Sequence, residues 1–165
     1  MAAETTVDIL KNAILLEKKG RAFYGQVAEQ ADHPAVKRFF EMMADEEGQH
    51  IAILTEQFKA YRENARFNPF ETPAADDIAD KVLTRELVDA IAAADYEAAA
   101  VSAAMAMEKN AIRLYADRAA DTADPQEKAL YDWLSRWEQS HLRFLAEVDR
   151  EITERIWHDN NFWAF

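Results

Sequence analysis

The chain has 165 residues, half of them hydrophobic, with three glycines, four prolines, no cysteine and a formal charge of −12. That length suits one domain with a real core, and the composition excludes a disordered chain, disulfides, thiolate zinc sites, Cys-ligated iron–sulfur clusters and a cysteine nucleophile. The negative balance would repel phosphate backbones, so no nucleic-acid partner is expected.

No apolar run reaches the roughly 20 residues needed to span a bilayer, so no membrane contact is expected. The opening MAAETTVDILKN has no basic stretch followed by an apolar one, and a cytoplasmic location is expected. Abundant alanine with few glycines, prolines and β-branched residues favours helices throughout.

The first predicted helix covers 6–30, with Leu10, Ala13, Ile14, Glu17, Phe23 and Tyr24 in one stripe. ADHP (31–34) is a turn, and Pro34 suits the first position of a second helix running to about Arg62. That helix places Phe40, Met43, Glu47, His50 and Leu54 along one face. Residues 63–83 lose the helical period, and TRELVDAIAA (84–93) reads as a short amphipathic helix. Asp95 is the expected N-cap of a third long helix to about Ala120, and a fourth runs from Pro125 to about Ile156.

Shifted by 91 residues, the chain aligns with itself without a gap. Ten of the 43 positions from 14 to 56 are identical. Glu17 falls on Glu108, Tyr24 on Tyr115, Pro34 on Pro125, Glu47 on Glu138 and His50 on His141. The chain is therefore read as a duplicated helical hairpin. The predicted fold is all-α: a four-helix bundle in a single domain, 1–165. Hairpin 1 covers 6–62, one long crossover 63–94, hairpin 2 covers 95–156, and a short aromatic tail 157–165.

Glu17 and Glu47 lie at nearly equal chain distance from their shared turn, so antiparallel helices set them at one height. The repeat does the same for Glu108 and Glu138. Four ionised carboxylates in an apolar layer would cost several kcal/mol each if unpaired. No lysine or arginine recurs in register to neutralise them. Two divalent metal ions would cancel the four charges, with two neutral imidazoles completing the shell. One Glu from each of two helices plus Glu-x-x-His from the other two is the ligand pattern of carboxylate-bridged dinuclear bundles. Glu17, Glu47, His50, Glu108, Glu138 and His141 are the predicted metal ligands.

The stretches LLEKKGRAFY, DEEGQH, AMEKNAIRLY and WEQSH resemble the ferritin-like superfamily, and within it the rubrerythrin-type (erythrin) group. The resemblance implies terminal roles for Glu17 and Glu108, bridging roles for Glu47 and Glu138, and one metal on each histidine. It also implies that Tyr24 and Tyr115 hydrogen-bond ligand carboxylates.

Two departures stand out. Rubrerythrins proper carry a Cys-rich rubredoxin domain, whereas this chain has no cysteine. They also carry a further glutamate one turn after the third-helix ligand, where this chain has Ala111. Bacterioferritins place a haem-ligating methionine after the second-helix glutamate; Gly48 stands there, so no haem is expected.

The expected cofactor is two iron ions per chain, with manganese or zinc also compatible with these donors. The expected reaction is oxidation of a diferrous centre by dioxygen or hydrogen peroxide, of ferroxidase or peroxidase type, with electrons from an external donor. The alternative is non-catalytic iron binding, delivery or storage; a metal-free helical module leaves the buried acids unexplained. His33 and His158 have no repeat partner; His33 reads as a turn residue and His158 as part of the tail IWHDNNFWAF. That apolar tail points to docking on the bundle or in a homodimer or larger oligomer.

Overall fold

A computed structural model describes residues 5–73, 84–93 and 95–158. Among these, all regular structure is helical: α1 (Thr6–Gln30), α2 (Pro34–Asn64), α3 (Arg85–Ala92), α4 (Asp95–Asp121) and α5 (Pro125–His158). The first long helix ends where the sequence reading put it, and the other three exceed that reading by one or two residues at their C-terminal ends. Trp157 and His158 continue α5 rather than opening a separate tail, and 159–165 lie outside the described residues.

Local chemistry sets the helix starts. Thr5 caps α1 by accepting from the Asp8 amide, and Thr84 caps α3 by accepting from the Leu87 amide. His33 is more than a turn residue: its ring accepts from the Ala35 amide, which caps α2 ahead of Pro34. The Asp124 carboxylate accepts from the amides of Gln126 and Glu127 at the start of α5. The cap expected of Asp95 rests on a side chain outside those described.

At the end of α2, Ala65 adopts the left-handed conformation, φ 52°, with its amide on the Tyr61 carbonyl. A Cβ is unfavourable there and glycine carries none. Ala65→Gly is expected to raise the unfolding free energy by about 0.5–1 kcal/mol. A higher urea midpoint at unchanged slope would register the gain; an unmoved or lower midpoint would contradict it.

A three-residue turn returns the chain between α1 and α2, and another between α4 and α5, so each pair packs antiparallel. Also, α1 meets α4, and α3 touches α2, α4 and α5. Two apolar clusters form the core. One joins Tyr24 and Val27 of α1, Phe39 and Phe40 of α2, Leu87 and Ile91 of α3, Val101 of α4 and Phe144 of α5. The other joins Leu10 of α1, Leu54 of α2, Tyr115 of α4 and Leu130 and Leu134 of α5.

Ile14 and Phe23 sit at the margin, half-buried; the buried stripe of α1 runs through Leu10, Ala13, Glu17, Gly20, Tyr24 and Val27. After α2, the backbone is held down by side-chain amides. The Asn68 amide donates to Gln57 Oε1 at 2.9 Å and the Phe70 amide to Gln126 Oε1 at 2.7 Å.

Candidate metal centre

Between the two apolar clusters, four helices bring six polar side chains together. Glu17 comes from α1, Glu47 and His50 from α2, Glu108 from α4, and Glu138 and His141 from α5. None is more than 3% exposed. The three-residue spacing of each Glu–His pair puts both groups on the buried face of its helix.

The six divide into two overlapping groups. Glu17, Glu47, His50 and Glu138 form one and Glu47, Glu108, Glu138 and His141 the other; within each, one ligand atom per residue lies within 4.8 Å of the rest. His50 Nδ1 is 3.0 Å from Glu138 Oε1, 3.2 Å from Glu17 Oε2 and 3.6 Å from Glu47 Oε2. His141 Nδ1 is 3.0 Å from Glu138 Oε2, 3.5 Å from Glu108 Oε1 and 3.8 Å from Glu47 Oε1. Glu47 and Glu138 thus turn one oxygen to each histidine, while Glu17 and Glu108 belong to one group apiece. The imidazole rings lie nearly parallel, with centroids 6.1 Å apart.

The tyrosines cross between the hairpins. The Tyr24 hydroxyl donates to Glu108 Oε1, and the Tyr115 hydroxyl donates to Glu17 Oε1. Burial, then the carboxylate each one bonds, pushes both phenols well above their ordinary range, so they remain protonated donors.

Confinement also sets the charge state of the acids. Burial, then the neighbouring Glu138, drives the Glu47 carboxyl well up and brings Glu108 up to about 7. Burial would raise Glu138 too, but His50 and His141 outweigh it and hold that carboxyl below the usual range. Burial disfavours charge on the imidazoles, yet the surrounding carboxylates prevail and push both upward. Protons thus do the neutralising that a cation would otherwise do.

Whether these residues suit metal ions can be judged from what they leave unpaired. Among the described residues, both Glu138 oxygens, His141 Nδ1 and His50 Nε2 are buried without an aligned hydrogen bond. Three of these four atoms face the middle of the cluster, where two divalent ions would satisfy them and balance four carboxylates. Oxygen and imidazole donors without thiolate match iron, manganese or zinc.

A family model described as Rubrerythrin matches residues 8–148, a span that includes all six side chains. The chain belongs to the rubrerythrin family. No curated protein and no solved structure matches it. Rubrerythrins bind a di-iron centre, and the buried acid–imidazole cluster fits such a site.

This rubrerythrin chain has features around the cluster that sequence reasoning missed. Glu46 Oε2 lies 2.7 Å from His141 Nε2 and accepts from Trp137 Nε1 at 3.0 Å. The Trp133 and Trp137 rings stand edge-on to His50, with centroids 5.6 and 5.9 Å away. A cavity of about 20 Å³ touches all four glutamates between Gly20 of α1 and Ala111 of α4, and neither histidine lines it. A Cβ built on Gly20 would stand 3.4 Å from the Glu47 carboxyl carbon. A larger cleft of about 520 Å³ between α3 and α5 lies away from the acids and gathers none of these groups.

Proposed function

We propose that the protein is a dinuclear iron oxidoreductase of ferroxidase or peroxidase type. Glu17, Glu47, His50, Glu108, Glu138 and His141 would hold two iron ions per chain. The observation that carries this reading is the way Glu47 and Glu138 are shared, one oxygen toward each imidazole. Glu47 and Glu138 take the bridging role and Glu17 and Glu108 the terminal one. The two apolar clusters support a single four-helix bundle; the long crossover expected over 63–94 falls partly outside the described residues.

Iron bound there would supply reversible one-electron changes and open positions for dioxygen or hydrogen peroxide. The protein's own groups do the rest. Tyr24 and Tyr115 each anchor one oxygen of the opposite hairpin's terminal carboxylate, which fixes that side chain's orientation. Glu108, with its carboxyl near neutrality, is placed to take up or release a proton as charge in the layer changes. The cavity against the four glutamates has room for about one small molecule, which favours a small oxidant over an organic substrate. Repeated turnover would draw electrons from an external donor.

Anaerobically iron-loaded protein, mixed with dioxygen or peroxide in a stopped-flow cell, is expected to show rapid ferric absorbance. Re-reduction should restore the response through several cycles. Oxidant left unconsumed would end this reading, and a single oxidation followed by release of the metal would favour an iron carrier.

A further inference from the structure

The two halves of the cluster are related by the 91-residue repeat, but their surroundings are not. Glu46, beside Glu47, falls in the repeat on Trp137, beside Glu138. Both histidines turn Nδ1 toward the carboxylates and Nε2 away from them. A neutral imidazole that gives Nδ1 to a cation must carry its proton on Nε2. On His141 that N–H points at Glu46 Oε2, 2.7 Å away. On His50 it is buried with no hydrogen-bond partner among the described residues, in a ring that packs nearly perpendicular to those of Trp133 and Trp137. Trp137 also donates its indole N–H to Glu46, so the residue that breaks the repeat steadies the acid on the other side.

An anionic acceptor behind a ligating imidazole fixes its tautomer and makes it a better donor, whereas an N–H buried without a partner penalises the ligating tautomer. We propose that the two metal positions are unequal: Glu46 is a positioning residue that makes the His141 position the tighter and first-filled one, and Trp137 leaves the His50 position weaker. This inference rests on the dinuclear reading above and adds to it an order of filling.

Mutual repulsion of two cations would also separate two binding steps, so the test isolates each position. Metal-free His50→Ala and His141→Ala variants are titrated with Co²⁺ by calorimetry and visible absorbance. His50→Ala, which keeps the Glu46-backed side, is expected to bind its ion about 10- to 100-fold more tightly than His141→Ala. Adding Glu46→Ala should erase that advantage, with Glu46→Gln intermediate, and neither should alter the affinity of His141→Ala. Equal affinities in the two histidine variants, or an equal loss in both on changing Glu46, would overturn the proposal while leaving the dinuclear reading intact. Failure of the unmodified protein to bind Co²⁺ at all would overturn both.

Should a histidine variant not fold, cadmium NMR of the unmodified protein at one equivalent of ¹¹³Cd²⁺ reads the same quantity. One resonance should dominate, and Glu46→Gln should even out the two. Equal resonances before substitution count against the inference.

Discussion

Replacing Glu138 with glutamine is expected to leave the protein with at most one metal ion, held more than about 100-fold more weakly, beyond the roughly 10–100-fold typical of outer-sphere changes. Among the described residues, Glu138 is the one carboxylate that comes within 3.0 Å of both imidazoles, an oxygen to each. Glutamine keeps the shape but removes the charge, and it can offer an oxygen to only one side. Its amide would turn N–H donors toward the other cation, which is repulsive. Metal analysis after dialysis reads the stoichiometry directly. Thermal unfolding gives a second measure: a 100-fold loss in affinity removes about 2.7 kcal/mol of ligand-linked stabilisation at saturating metal. Glu29→Gln, an exposed acid on the same protein, should change neither. Two ions retained by Glu138→Gln at unaltered affinity would remove Glu138 from the ligand set.

Much of this arrangement was legible before any coordinates, because a duplicated chain annotates itself. The 91-residue shift, with Glu17 and Glu47 nearly equidistant from their turn, locates the polar layer along the helices. What the repeat could not supply were the places where it fails. In the sequence Glu46 is one of 31 acidic residues, and its partner, His141, lies 95 residues away on a different hairpin. The signal was present as a broken repeat, acid against tryptophan, but only geometry gives it meaning.

A second example lies at the far end of hairpin 2. Arg118 Nε and Nη2 donate to the two Glu127 oxygens at 2.8 and 2.9 Å, a forked pair with Glu127 almost fully buried. The repeat positions in hairpin 1 are Val27 and Val36, both buried in the apolar core. One hairpin fills those positions with two core valines and the other with an ion pair. Either position alone reads as an ordinary substitution, and only the joint change hints at the pair that Arg118 and Glu127 form. Helix ends were misjudged for a plainer reason: amphipathic period fades in the last turn, where Asn64, Asp121 and His158 remain helical without burying anything.

The metal-free protein is expected to lose stability as pH rises from about 5 to 8, and the metal-loaded protein to gain relative to it. Glu108 has a carboxyl raised to about 7, and Glu47 is raised in the same direction, with burial the first cause of each. A group whose folded-state pKa lies above its unfolded value adds stability that is complete below the unfolded value and fades as pH climbs through the folded one. For Glu108 that window runs from about 4.5 to about 7. The shift corresponds to roughly 3 kcal/mol at most. His50 and His141, also raised, lose their contribution in the same sense but above the ordinary histidine range. Glu138 is depressed, so its contribution is present throughout this interval and fails only in stronger acid.

Every shifted acid and imidazole in the cluster that titrates in this window therefore pushes the metal-free protein the same way. Divalent ions replace the protons that hold the cluster together, so their binding releases protons and strengthens as pH rises. The gap between loaded and metal-free unfolding temperatures should thus be narrow near pH 5 and widest near pH 8. The formal charge of −12 would also relax on acidification, but at roughly 0.5 M salt surface repulsion is screened while the buried layer is not. A metal-free unfolding temperature that stays flat or climbs with pH under those conditions would mean that protons do not neutralise the cluster. The case for cations taking their place would then lose its energetic footing.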